Sequence, residues 1–103
     1  MSELIQAVKD ECGITWDDPA TDRKVNTDIC RAKSMLNDYA GEEIDYEADG
    51  TARSLLLTLC RYIYNKATEE FKRNCSEDIV ALRQKYEARR ALEAEEAVTD
   101  DDT

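Results

Sequence analysis

An all-α fold, a small bundle of four helices, is predicted for this 103-residue chain by two observations. Apolar residues recur at intervals of three and four along most of it, and strong stop and start signals divide the periodic stretches. The length favours one domain, near the lower end of what a single core stabilises without disulfides or metals.

The first expected helix is short, from about Glu3 to Cys12, with Leu4, Ile5, Val8 and Cys12 on one face, Ser2 as N-cap and Gly13 as the stop. Ile14 and Trp16 then anchor a loop. Asp18 before Pro19 is a start signal, an acidic cap followed by proline at the first helical position. The second helix runs from Pro19 to about Ala40, with Val25, Ile29, Ala32, Leu36 and Tyr39 on its face and Gly41 beyond its end.

The segment EEIDYEADG reads as an acidic loop, pinned by Ile44 and Tyr46 and closed by an Asp-Gly turn pair. Its alternation of Ile44, Tyr46 and Ala48 also allows a short extended piece. A long third helix is expected from near Thr51 to Arg73. After the punctuation at Asn74 to Ser76, a fourth follows with Ser76 as N-cap and Ile79, Leu82 and Tyr86 on a narrow face. Residues 1–90 thus form the helical domain. Residues 91–103, with 6 acidic groups and no basic one, form an acidic tail expected to be mobile in the free subunit.

Composition narrows the function classes. The net charge of -10 argues against binding nucleic-acid phosphates, which needs a basic surface. No apolar run has transmembrane length, and MSELIQAVKDE lacks the basic and apolar blocks of a secretory signal, so no membrane partner and cytoplasmic synthesis are expected. Cys12, Cys30, Cys60 and Cys75 are far apart and the chain has no histidine, which disfavours a metal site. They are expected to be reduced and to pack as small apolar residues.

The expectation is therefore no enzyme, no cofactor and no bound metal. A catalytic base would have to come from scattered carboxylates and lysines, and the three glycines form no phosphate loop. The pairs Asp17 with Asp18, Glu42 with Glu43 and Glu69 with Glu70 read as caps and solvated surface.

Two features point instead to assembly. The third helix carries a core stripe of Leu55, Leu56, Leu59, Cys60, Ile63 and Ala67, flanked at seven-residue spacing by Leu57, Tyr64 and Phe71. The combined apolar arc is roughly 220°, more than the ~100° a surface helix needs. Leu57, Tyr64 and Phe71 are accordingly candidate subunit-interface residues, with cover from the same chain as the competing account. The charge is also segmented: residues 1–51 carry 13 acidic and 5 basic groups, residues 52–90 carry 5 and 9, and residues 91–103 carry 6 and 0. Oppositely charged halves can attract within one bundle, or between subunits joined head to tail, as in a ring.

The order of features, from LIQAVKDEC and GITWDDPATD through LNDYAG and IDYEADG to ARSLLLTLCRYIYNKATEEF, resembles the head-tail connector (head-completion adaptor) proteins of tailed bacteriophages and prophages. The likeness covers about residues 2–86 and rests on helix order, the Trp-Asp-Asp-Pro turn and the L-L-x-x-x-x-R-Y-I-x-N pattern. It implies a structural virion protein at the head-tail junction, made in the bacterial host cytoplasm. Such a subunit forms a homo-oligomeric ring matching the symmetry of the portal on the DNA-filled capsid. The ring extends the DNA channel without sequence-specific binding and offers a platform for stopper or tail-completion proteins. It further implies that the carboxy-terminal helix reaches the portal, which makes Arg83, Tyr86, Arg89 and Arg90 candidate portal contacts. The competing class is an acidic helical effector, such as a DNA mimic that inhibits a nucleic-acid-binding protein. Basic residues from Arg53 to Arg90 interrupt the acidic face that a mimic needs.

Overall fold

The computed structural model describes residues 2–101, and the side chains of residues 3–95. Among the described residues the chain is all-helical, with α1 at Ser2–Cys12, α2 at Pro19–Ala40, α3 at Gly50–Tyr64, α4 at Thr68–Asn74 and α5 at Ser76–Asp101. α2 and α3 pack together at the centre, α1 touches both, α5 lies along α2, and short α4 links α3 to α5. The core gathers Val8, Val25, Ile29, Leu36, Leu56, Leu59, Cys60 and Phe71, all fully buried. Each large apolar side chain there contributes about 1.5–3 kcal/mol.

The helix ends follow their local chemistry. After α1, Gly13 adopts φ 75° and the Ile14 N–H returns to the Lys9 carbonyl at 2.8 Å, which drives the Ile14 side chain into the core. α2 has proline in its first turn and stops at Gly41, φ 81°, whose N–H bonds the Asn37 carbonyl at 2.8 Å. Ser2 is the first residue of α1, and its side chain lies outside the described residues.

The expected third helix, Thr51 to Arg73, is two helices, which makes five in place of four. Lys66 takes a left-handed backbone with φ 58°, and its N–H bonds the Ile63 carbonyl at 3.0 Å. The Ala67 N–H reaches the Tyr62 carbonyl at 2.8 Å, and Asn65 Nδ2 donates to the Arg61 carbonyl. These nested bonds satisfy the last carbonyls of α3 and turn the chain. Lysine lacks glycine's freedom at positive φ, so local sequence carries little sign of this turn.

The acidic loop has turns and no strand. Asn37 Oδ1 accepts from the Ile44 N–H at 3.1 Å and from the Tyr46 hydroxyl at 2.9 Å, so both side chains turn inward without a strand, while Ala48 is exposed. Burial pushes the Tyr46 hydroxyl well above its ordinary pKa.

α5 buries Ile79, Leu82 and Tyr86 and then runs on with residues 91–95 all exposed, Leu92 at 60 %. Residues 91–101 of the expected mobile tail are thus helical, and residues 102 and 103 lie outside the described residues. No described helix is long and apolar enough to cross a membrane.

Candidate functional site

The loop between α1 and α2 is built around a buried lysine. Lys9 lies on α1, only 2 % exposed, and its Nζ donates to Asp17 Oδ1 at 2.8 Å and to Asp22 Oδ1 at 3.1 Å. The hydrogen bonds to Asp17 and then Asp22 raise the Lys9 pKa, and the same contact lowers that of Asp17. Asp17 therefore ties the loop to α1, a role beyond the solvated surface expected for it.

Next to this clamp stands Trp16, expected to anchor the loop; the residue is 50 % exposed, so it does not do so by burial. It is nonetheless held in place. The indole N–H donates to Thr21 Oγ1 at 3.1 Å, and the Thr21 hydroxyl donates to Asp18 Oδ2 at 3.2 Å. Trp16, Ala20, Thr21, Lys24 and Tyr64 line one shallow hollow, with Lys24 Nζ 5.5 Å from the centre of the Tyr64 ring.

The predicted line of Leu57, Tyr64 and Phe71 does not form one edge. The break at Lys66 turns α4 inward, so Phe71 is fully buried and meets Tyr62 edge to face at 5.6 Å. Phe71 is a core residue of the single chain. Leu57 and Tyr64 remain half-buried on α3. Tyr64 shares its hollow with Trp16, not with Phe71.

The candidate portal contacts also divide. Arg83 and Arg89 are exposed on α5. Tyr86 is buried and its hydroxyl donates to Asp49 Oδ2 at 2.7 Å. Arg90 lies over Gly41 and donates through Nη1 to the Ala40 carbonyl and to Glu42 Oε2, both at 2.8 Å, which caps the C-terminal end of α2 with a positive charge. Tyr86 and Arg90 are thus corrected to intramolecular roles, because burial and capping already occupy their polar groups.

Asp49 joins three elements. Its Oδ1 accepts the Ala52 N–H at 3.0 Å and caps α3, while its Oδ2 accepts from Tyr86 and from Lys85 Nζ at 2.9 Å. Burial alone would raise its pKa. The hydrogen bonds from Lys85, the Ala52 N–H and Tyr86 outweigh it and hold the carboxyl down at about 2. Burial, then the bond to Asp49, pushes Tyr86 up to about 12.

Beyond that junction α3 and α5 part to leave a mostly apolar groove of about 320 Å³, walled by Ser54, Leu55 and Thr58 on one side and Ala81 and Leu82 on the other. Asp78 and Lys85 stand along its α5 side. The four cysteines are free. Burial first, then the nearby Cys12 and Asp28, raises Cys60 to about 12, which makes it a poor nucleophile, and Cys30 is exposed where a packed residue was expected. No group of three histidine, cysteine or acidic side chains among the described residues is placed to hold a metal ion.

Local signals missed the Lys9 clamp and the exposure of Trp16, although Asp17 and Trp16 both lie in the Trp-Asp-Asp-Pro turn. A lysine on an apolar helix face, Lys9 beside Val8, followed by two aspartates was the available clue. Comparison with protein-family models, with curated proteins and with solved structures finds no match to this chain.

Proposed function

We propose that this chain is a head-tail connector subunit that assembles as a ring on the portal of a phage capsid and carries the next component of the head-tail junction. The observation that supports this reading most is the arm of α5. Among its described side chains, which run to Glu95, the last one buried is Tyr86, yet the helix continues to Asp101, about 22 Å further at 1.5 Å per residue.

A helix is not extended through exposed positions by its own core. Its function lies in what it meets. Over residues 91–101 the arm bears Glu93, Glu95, Glu96, Asp100 and Asp101 and no basic group, so it suits a basic groove on a larger partner such as a portal ring. The exposed Trp16 and half-buried Tyr64 supply a second, aromatic surface suited to contacts between subunits. The molecule measures 59 × 29 × 17 Å, an elongated form in which the arm and the aromatic surface can serve different partners.

The test removes residues 91–103. The shortened chain should keep its helical circular dichroism and lose co-sedimentation with portal-bearing capsids of a tailed phage. Capsid binding equal to that of the full chain would overturn the role of the arm. Binding of a nucleic-acid enzyme, competed by duplex DNA, would favour the acidic-effector reading.

A further inference from the structure

We propose that neighbouring copies of this chain join by seating Trp16 of one copy in the α3–α5 groove of the next. The proposal rests on the ring reading for the closed assembly and adds the contact that builds it.

Trp16 is the single tryptophan, half in water, and its indole is fixed by the chain through Thr21 to Asp18. An exposed aromatic held in one orientation loses little freedom on docking, and tryptophan is prominent among residues that dominate interfaces. The groove offers the complement. At about 320 Å³ it sits at the low end of the ~300–1,000 Å³ of ligand pockets, a size suited to one large side chain. Its walls are Leu55, Leu82 and Ala81, and Val80, 47 % exposed, extends the apolar surface on α5.

A chain does not fill its own groove. Tyr64, which shares the hollow with Trp16, lies six residues beyond Thr58 and ten beyond Ser54, ~9–15 Å along α3. A Trp16 seated in this groove therefore belongs to a second copy.

Charge supports that choice. Trp16 is followed by Asp17, whose side chain is 91 % exposed, and by exposed Asp18, while Lys24 stands on the other side of the hollow. The groove has Lys85 and Asp78 seven residues apart on α5, ~10 Å. Lys85, Arg89 and Lys24 already pair with Asp49, Glu93 and Asp28, so the match is one of segments: Trp16 lies within residues 1–51, with 13 acidic and 5 basic groups, and the Ser54, Leu55, Thr58, Ala81 and Leu82 walls lie within residues 52–90, with 5 and 9.

Two substitutions at exposed positions separate the halves of the contact: Trp16→Ala removes the knob and Ala81→Lys blocks the groove. Circular dichroism should be unchanged in both. In sedimentation velocity each variant alone should lose at least ~30-fold in self-association relative to the native chain, the loss of one interface anchor. Mixed in equal amounts they should form a two-chain species and nothing larger, because one intact knob meets one intact groove. Trp16 emission, carried only by the Ala81→Lys copy, should shift to the blue on mixing.

Self-association of both variants at native strength, or native assembly with unmoved Trp16 emission, overturns the contact and leaves the ring reading standing. Failure of the mixture to pair also overturns it. A native species that stops at two copies, with both tryptophans shifted, supports the contact and removes the ring. A native chain that stays monomeric, with and without portal-bearing capsids, removes both.

Discussion

Replacing Asp49 with alanine should be among the most damaging single changes to a polar residue of this chain. Three contributions are lost together. The Ala52 N–H loses its cap, which costs about 1 kcal/mol. The Tyr86 hydroxyl, buried and deprived of its acceptor, costs a further ~1–2 kcal/mol. Lys85 is half in water, so its bridge adds at most about 0.5 kcal/mol. The sum, about 3 kcal/mol, is a large share of the ~5–15 kcal/mol typical of a domain. With a urea dependence of about 2 kcal/mol per molar, the unfolding midpoint should fall by ~1.5 M. Asp49→Asn keeps a good cap and one acceptor oxygen, so it should lie between the two. A midpoint shift under about 0.5 M for Asp49→Ala, measured by circular dichroism in urea, would refute the view that this carboxylate joins the loop, α3 and α5.

Other consequences can be checked in the same assays. The folded Asp49 pKa of about 2 lies below its unfolded value of 3.8, so the unfolded state binds more protons between them. Its stabilisation, about 2 kcal/mol after allowance for residual exposure, is complete above pH ~4 and is lost as pH falls through about 2. Acid titration of Asp49→Asn should lack that step. Lys66→Gly should stabilise by about 0.5–1 kcal/mol, since it relieves a left-handed backbone at φ 58°, and a loss of stability would show the turn is not strained. Gly41→Ala should destabilise by ~1 kcal/mol or more, because φ is 81° and the new Cβ would stand 3.1 Å from Arg90 Nη2. Phe71→Ala should cost ~3–5 kcal/mol in thermal melts, whereas Tyr64→Glu should preserve the helix signal and weaken assembly on capsids. Equal melting of the two variants would show that the core and edge assignments are wrong.

The parts of the fold legible in sequence were those written in local chemistry. Pro19 and Gly41 bracket α2, Gly13 ends α1, and the spacing of Ile79, Leu82 and Tyr86 marks the buried face of α5. The break between α3 and α4 was not legible, because it is made by backbone bonds around Lys66, a residue with no turn preference to announce it. The same limit governs the site. Periodicity placed Tyr64 and Phe71 on one line, but the turn at Lys66 sends Phe71 into the core, and a spacing rule holds only while the helix is continuous. Arg90 looks like a surface group beyond the buried face until the end of α2, tens of residues away, supplies its partners, and the bond of the Tyr86 hydroxyl to Asp49 is equally non-local. Trp16 went the other way. It was expected to anchor the loop, while the Lys9 clamp leaves the loop anchored without its burial.

The proposed ring is tested most directly by electron-microscopic class averages of the native chain mixed with portal-bearing capsids of a tailed phage. The expected image is a closed ring at the portal vertex with the α5 arms directed at the portal and an open central channel. Capsids with bare portals, and a chain left monomeric in the supernatant, would contradict it.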